Sequence, residues 1–209
     1  MSAEKYDISQ LDEESFSPDD YLINIIKRAV KNQQNIHVGI PGLGNIIVMS
    51  SIGEYLDNTD DLQRFCTFPA SHYQVSILQG RDVNADMEKN GRNIDELMWI
   101  VGFHISDGRL MAGCYRDDVV ELMQWPNLTR LPATPNAMRL ASLLSQHPTS
   151  ITLAQRFLRI EKSEAYQFYS AARCAGLARA VNRVPEEPPL KPHRNQALLS
   201  LLLNKIAGI

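Results

Sequence analysis

The residue types that most often carry catalysis are scattered through this chain without a recognised catalytic or metal-binding spacing. The five histidines form no HExxH motif. The three cysteines, Cys66, Cys114 and Cys174, lie far apart and form no CxxC pair. Cys66 and His72 are near in sequence and could act as a Cys–His pair only if the fold joined them. The spacing therefore predicts buried thiols and structural histidines, with no catalytic residue, no metal site and no cofactor.

Two further patterns favour structural roles over chemistry. Gly42-Leu43-Gly44 is rich in glycine, as phosphate-binding loops are, but such a loop also needs a Lys-Ser/Thr pair that opens a helix. Asn45 to Val48 is strand-like instead, so a hairpin turn is the better interpretation. Adjacent acidic residues such as Asp117 and Asp118 do not face one another along the chain, which predicts solvated turns or caps.

The most informative stretch lies between residues 136 and 182. Apolar residues recur there at helical spacing in three consecutive segments, which are Asn136–Gln146, Ile151–Leu158 and Lys162–Cys174. His147-Pro148 stops the first segment, and Ser150 or Thr152 can cap the second. We expect Ser163 to cap the third segment. Gly176 fits the left-handed position that commonly ends a helix, and the residues after it are strand-like.

Three short helices followed by a strand form a helix-turn-helix arrangement with a wing. Residues 136–182 resemble the winged-helix superfamily. The resemblance is carried by the Leu143-Leu144 pair, by Ala175-Gly176-Leu177, and by the sequence TSITLAQRFLRIEKSEAYQFYSAARCAGLA. It covers under a quarter of the chain. The resemblance implies a compact three-helix fold, and winged helices bind DNA, RNA or other proteins.

Charge is distributed unevenly along the chain. Residues 1–135 hold 11 Lys and Arg against 20 Asp and Glu, a net charge of −9. Residues 136–184 hold 7 Lys and Arg against 2 Glu, a net charge of +5. A basic segment of this kind could attract a nucleic-acid backbone, an acidic protein partner, or the acidic front of the chain itself.

A DNA-reading winged helix would use its third helix and the strand after it. The nucleic-acid-binding candidates in that interpretation are Lys162, Gln167, Arg173, Arg179 and Arg183. The residues expected to point outward from the third helix are Lys162, Glu164, Gln167, Ser170, Ala171 and Arg173. Glu161 and Glu164 would face phosphates near the start of this helix, which argues against tight DNA binding and favours a packing module.

The rest of the chain predicts an α+β fold. We expect a flexible acidic tail over residues 1–17, then an α+β domain with a small antiparallel sheet over 18–131, and the winged-helix domain over 133–184. Proline at position 18 marks a helix start. Ile36–Ile40 and Ile46–Met49 predict a β-hairpin, and His72–Leu78 alternates as a strand does. Asn93 and Glu96 predict a capping box before a buried helix.

The C-terminal segment predicts an apolar docking helix. A proline-rich linker over residues 185–194 precedes residues 195–209, which leave little polar face. An almost wholly apolar helix cannot stay exposed in water. The partner-binding candidates on this helix are Leu198, Leu199, Leu201, Leu202 and Ile206.

These patterns together favour a non-enzymatic role. The chain contains no run of eighteen apolar residues, so no transmembrane segment is predicted. The acidic start lacks the features of a signal peptide. We expect a cytoplasmic regulatory or scaffolding protein that acts through a protein partner or self-association. Similar winged helices serve in bacterial signalling beside small GTPases or response regulators. The alternative is a DNA-binding transcriptional regulator with an N-terminal sensing domain; nucleic-acid binding is possible but not favoured.

Overall fold

The structure is a computed structural model that describes residues 15–78 and 91–183 of the 209-residue chain. Nearly all of the predicted tail, the predicted linker and the predicted C-terminal helix lie outside the described residues. The described chain divides into two compact units between Val101 and Gly102. We call residues 19–78 and 91–101 the sheet unit, and residues 15–18 and 102–183 the helix unit.

The sheet unit is built from short strands and amphipathic helices. Its first helix, α1, buries Leu22, Ile23, Ile26 and Ala29 on one face, because these residues recur every three to four positions. Short 3-10 helices cover Pro18–Asp20 and Ala70–His72. The elements of this unit, in chain order, are α1 (Leu22–Lys31), β2 (Ile36–Ile40), β3 (Gly44–Met49), β4 (Glu54–Thr59), α2 (Leu62–Cys66), β5 (Gln74–Ile77) and β6 (Arg92–Asn93); β1 belongs to the helix unit.

Five antiparallel strands form the sheet of this unit, in the order β5-β2-β3-β4-β6. The predicted hairpin of β2 and β3 is confirmed, with Val38 opposite Ile46. Gly44 opens β3 with a φ of +96°, and a Cβ at this position would lie 2.4 Å from the carbonyl oxygen of Asn58. Only glycine fits here, since both the backbone conformation and the close neighbouring strand exclude a side chain.

Helix α3 (Ile94–Ser106) crosses the division between the two units. Asn93 starts it, because its Oδ1 accepts a hydrogen bond of 2.8 Å from the backbone N–H of Asp95. Glu96 pairs with Arg92 at 3.1 Å. Asp107 and Gly108 follow the helix with positive φ, the left-handed conformation that commonly ends a helix.

The helix unit combines small sheets with three helices. Its elements are β1 (Ser15–Phe16), β7 (Leu110–Met111), β8 (Val119–Leu122), α4 (Ala137–Gln146), β9 (Thr149–Ser150), α5 (Ile151–Leu158), α6 (Lys162–Cys174) and β10 (Ala178–Ala180). Strand β1 pairs with β7 in parallel. Strand β8 is the centre of an antiparallel sheet with the order β10-β8-β9. The α+β fold class is thus confirmed.

The central strand β8 explains why the compact units differ from the predicted domains. Sequence analysis assigned this strand to the front domain and set the boundary at residues 131–133. In the structure, Val119 lies opposite Ser150 and Leu122 lies opposite Ala178. These pairings join residues upstream of α4 to strands that follow it, so the division falls earlier, at Val101.

Local end signals place the three helices. Ser150 caps α5, because its Oγ accepts a 3.2 Å hydrogen bond from the N–H of Leu153. Gly176 has a φ of +68°, as predicted for the end of α6. Helix α6 begins at Lys162, after Glu161 rather than at a Ser163 cap. None of the helices within the described ranges is long and apolar enough to span a membrane.

Candidate functional site

Helix α6 is buried over most of its surface. Four residues along one side of this helix are at most 1% exposed; they are Ala165, Phe168, Tyr169 and Ala172. Ser170 and Ala171, which were expected to face outward, are also fully buried. Cys174 and Ala171 lie against Gly102, where an added Cβ would be 2.8 Å from the Cys174 Sγ. Between Ala165 and Ala172 only Gln167 is partly exposed, so the middle of this helix offers little surface to a partner.

Hydrogen bonds fix the polar residues of α6 to the residues before it. The Ser170 hydroxyl donates to the carbonyl oxygen of Arg109 at 3.1 Å and accepts from the N–H of Met111 at 3.0 Å. The side-chain amide of Gln167 donates to the carbonyl oxygen of Phe103 at 3.0 Å. Gln167, a candidate for contacting bases, is thus used to hold the fold.

The basic candidates also have internal partners. Arg173 donates to the carbonyl oxygen of Ala178 at 3.1 Å. Arg179 forms a partly exposed ion pair of 2.6 Å with Glu121. Lys162 is exposed, and its ammonium lies 5.4 Å from the centre of the Tyr166 ring. Of the five nucleic-acid candidates, Lys162 and Arg179 are the exposed ones.

The fifth candidate, Arg183, belongs to a buried polar cluster around Asp118. The Asp118 carboxylate is 2% exposed. It accepts hydrogen bonds from the Tyr169 hydroxyl at 2.7 Å, from the Tyr115 N–H at 2.9 Å, and from Arg183 at 2.6 and 2.9 Å. Arg183 also donates to the carbonyl oxygen of Gly113. We call these side chains the Asp118 clamp, because they tie the end of the described chain to residues 113–118.

The electrostatics of the Asp118 clamp follow from burial and pairing. Burial raises the pKa of Asp118, but hydrogen bonds from Arg183, Tyr115 and Tyr169 outweigh it, so the net pKa is lowered. The hydrogen bond to Asp118 raises the pKa of Arg183. Burial raises the pKa of the neighbouring Cys114 thiol, although Arg173 opposes this effect. A buried protonated thiol is a poor nucleophile.

Glu164 has a structural role that sequence analysis missed. Its carboxylate accepts 2.6 and 3.0 Å hydrogen bonds from the backbone N–H and side-chain amide of Asn136. Burial raises the pKa of Glu164, yet these bonds lower it overall. Asn136 precedes α4, so Glu164 supplies an acceptor to the start of that helix. The acid that was expected to repel phosphate is therefore a tertiary helix cap.

An open groove of about 400 Å³ lies between α4 and α5. Its apolar lining includes Met138 and Phe157, which are 61% and 71% exposed. Leu153, on the same face of α5 one turn before Phe157, is 57% exposed. Large apolar side chains clustered at a surface are typical of interaction sites. We call this surface the α4–α5 groove.

Three arginines line the α4–α5 groove or adjoin its lining residues in the sequence. Residues 137–160 contain three arginines and no aspartate or glutamate. Arg156 and Arg159 are exposed. Arg139 lines the groove and donates to Asn136 Oδ1 at 2.7 Å and to the Leu158 carbonyl oxygen at 3.0 Å. These two bonds hold its guanidinium between α4 and α5, where its charge also helps to lower the pKa of Glu164.

The catalytic possibilities raised by the sequence gain no geometric support. Burial raises the pKa of Cys66 far above its usual range, whereas His72 is exposed beside Ser71 and Phe68. In the part of the chain that the structure describes, no three His, Cys, Asp or Glu side chains are placed to hold a metal ion.

The C-terminal partner-binding candidates fall outside the described residues; they are Leu198, Leu199, Leu201, Leu202 and Ile206. Comparisons of this chain with protein-family models, with curated proteins and with solved structures find no match. In the part of the helix unit that the structure describes, the α4–α5 groove combines an open cavity with exposed apolar side chains. A functional interpretation therefore begins from this groove.

Proposed function

We propose that this protein is a non-enzymatic regulatory or scaffolding protein, and that its helix unit is a winged-helix module that binds protein. The observation that carries the proposal is a contrast between two surfaces of the same unit. The middle of α6 is buried, while the α4–α5 groove presents exposed apolar side chains. The winged-helix resemblance extends the proposal to bacterial signalling assemblies built on small GTPases or response regulators.

The burial of α6 opposes a DNA-reading role. A reading helix enters the major groove, which is about 12 Å wide, with its side chains exposed. Ser170 and Ala171 would have to leave their buried positions for α6 to do so. Separating Ser170 from Arg109 and Met111 would leave polar groups unpaired, at a cost of about 1–3 kcal/mol for each buried group.

The strand that follows α6 also offers little free charge to phosphates. Arg179 on β10 pairs with Glu121 on β8, and Arg183 pairs with the buried Asp118. Strand β8 reaches this position from upstream of α4. Within the described chain, β10 therefore pairs with a strand from before the helices instead of forming the hairpin of a typical wing.

A DNA-binding regulator remains the second candidate because residues 136–184 carry a net charge of +5 and Lys162 is exposed. The two functions are separated by titrating the full chain with a fluorescent 30-base-pair duplex between 50 and 200 mM salt. A binder with six to ten phosphate contacts loses about 10³–10⁵ in affinity over this range. We expect weak binding without sequence preference. A specific footprint on a defined operator would contradict the proposal.

The protein-binding role is tested with a matched pair of surface variants. Phe157→Ser removes the central apolar side chain of the α4–α5 groove. Trp125→Ser removes an apolar side chain of the same unit that is 48% exposed and does not line the groove. We expect the wild type and Trp125→Ser to retain the same protein from extracts of the source cells, and Phe157→Ser to lose it. Equal retention by both variants would contradict a groove-dependent partner.

A further inference from the structure

We infer that the α4–α5 groove binds an acidic amphipathic helix of a separate partner protein. This inference rests on the proposed protein-binding function and identifies the chemistry of the partner. Two observations carry it: the groove has exposed apolar side chains between two helices, and one arginine lines it while two others adjoin its lining residues in the sequence.

The apolar part of the groove suits a helix. Phe157 lines the groove from α5 and Met138 lines it from α4. The exposed Leu153 lies one helical turn before Phe157 on α5. A helix laid in a groove offers apolar anchors at positions i, i+3, i+4 and i+7. Anchors at that spacing match the one-turn separation of the exposed side chains. Phe157 is the expected centre of the contact, since large side chains at the middle of an interface carry most of its energy.

The arginines near the groove favour a partner helix with negative charge. Arg139 lines the groove, Arg156 and Arg159 adjoin its lining residues Phe157 and Leu158 in the sequence, and all three arginines are exposed. The acid that interacts with Arg139, Glu164, is held by its hydrogen bonds to Asn136. Opposite charges that meet at an interface speed association, and like charges disfavour the wrong partner. Glutamates beside the apolar anchors would lie within the Debye length of about 10 Å at 0.1 M salt.

The positive charge of these arginines also argues against two other occupants of the α4–α5 groove. A symmetric dimer through this groove would bring the same patch of each copy together, and so would place arginine against arginine. The chain's own C-terminal segment, residues 188–209, contains Lys191, Arg194 and Lys205 and no acidic residue. Both occupants would carry positive charge toward these arginines.

The direct test uses two synthetic 18-residue peptides with leucines at the same helical spacing. One carries glutamates and the other lysines at the remaining charged positions. Binding to the full-length protein is measured by isothermal titration calorimetry at 50 and 500 mM salt. We expect the glutamate peptide to bind at least tenfold more tightly at 50 mM salt, and this preference to shrink at 500 mM salt because the charges of the arginines are then screened.

Variants locate the binding and separate its two causes. Phe157→Ser should weaken binding of the glutamate peptide at least tenfold, while Trp125→Ser leaves it unchanged. Arg156→Glu should reduce the preference for the glutamate peptide at least threefold. The control is Arg130→Glu, which makes the same charge change at an exposed arginine that, unlike Arg156, does not adjoin a groove-lining residue in the sequence, and it should leave the preference unchanged.

Other results would contradict the acidic partner, the binding of a separate protein, or the proposed function. Equal binding of both peptides that still depends on Phe157 overturns the acidic partner and leaves protein binding in place. Failure of both peptides to bind overturns the inference, and a specific DNA footprint overturns the proposed function. Tighter binding by a peptide of residues 1–17 than by the glutamate peptide would assign the groove to the chain's own acidic segment. A lower mass for Phe157→Ser in light scattering would assign it to a second copy.

Discussion

Removal of the guanidinium from the Asp118 clamp should destabilise the helix unit far more than removal of a surface arginine. Arg183→Ala takes away the two hydrogen bonds that Asp118 accepts from Arg183, together with the bond to the Gly113 carbonyl oxygen. Asp118 then stays buried with the Tyr169 hydroxyl and the Tyr115 N–H as its donors. The carboxylate keeps its charge but loses the opposite charge that compensated its burial.

The size of the effect follows from this geometry. Breaking a buried ion pair by removing one partner costs about 3–5 kcal/mol. The Arg183 side chain is 23% exposed, so water replaces part of the lost pairing, and about 3 kcal/mol is expected. The matched control is Arg179→Ala, whose partner Glu121 is partly exposed; such a surface pair is worth about 0–1 kcal/mol.

Native-state hydrogen exchange measures this difference where it arises. The amides of β8 and β10 report the opening of the sheet that the Asp118 clamp closes. A loss of about 3 kcal/mol should speed their exchange by roughly 100-fold, since 1.4 kcal/mol corresponds to a factor of ten. Equal exchange in Arg183→Ala and Arg179→Ala would refute the claim that the clamp stabilises the unit.

The pH dependence provides a second check with a defined sign. The folded-state pKa of Asp118 is lowered, so its contribution to stability is present above the unfolded-state pKa of about 3.9 and is lost as pH falls through the folded-state value. In Arg183→Ala the buried Asp118 carboxylate has no cation beside it. Protonation of Asp118 at low pH removes the free-energy cost of burying that unpaired charge. The stability difference between wild type and Arg183→Ala should therefore narrow between pH 5 and pH 3. A constant difference over this range would contradict the assignment.

Three further substitutions test local features of the helix unit by thermal melting. Gly176→Val should lower the free energy of unfolding by about 1–3 kcal/mol, because a β-branched residue is strained at a φ of +68°. Gly176→Asn should cost less, since asparagine tolerates this conformation. Equal melting temperatures for Gly176→Val and the wild type would show that the left-handed conformation is not needed. Gly102→Val should cost about 1–3 kcal/mol, because its side chain would meet Cys174, and a smaller partner in Gly102→Val/Cys174→Ala should recover part of this loss. Ser150→Ala should cost about 1 kcal/mol through loss of the α5 cap, while Ser150→Asp should retain stability; a neutral Ser150→Ala would show that the cap contributes nothing.

Features with a local cause were predictable from the sequence. Ser150 and Gly176 mark helix ends through their own conformational and hydrogen-bonding preferences, and both occupy the expected positions. The β2–β3 hairpin follows from alternating apolar residues around a glycine turn. Strand β5 is shorter than the predicted His72–Leu78 and exposed throughout, because alternation predicts strand conformation without predicting which strand lies at the edge.

Features that depend on distant residues were not predictable in this way. Asp118 was interpreted as a turn charge, but Arg183, 65 positions away, makes it a buried acceptor. Ser170 was expected to face outward, and its partners Arg109 and Met111 are about 60 positions earlier. The α4–α5 groove had one local signal, the exposed Leu153 and Phe157 one turn apart on a helix whose other face is buried.

The upstream origin of β8 has a consequence for the order in which the chain can fold. Strand β8 meets β9 after about 30 residues and β10 only after about 60. At a synthesis rate of 5–20 residues per second, roughly 3–12 s separate the emergence of β8 from that of β10. During that time β8 has an unpaired edge, which is a template for aggregation. The high sequence separation of these pairings also predicts slower folding than a bundle with local contacts would show, so the helix unit completes its sheet last.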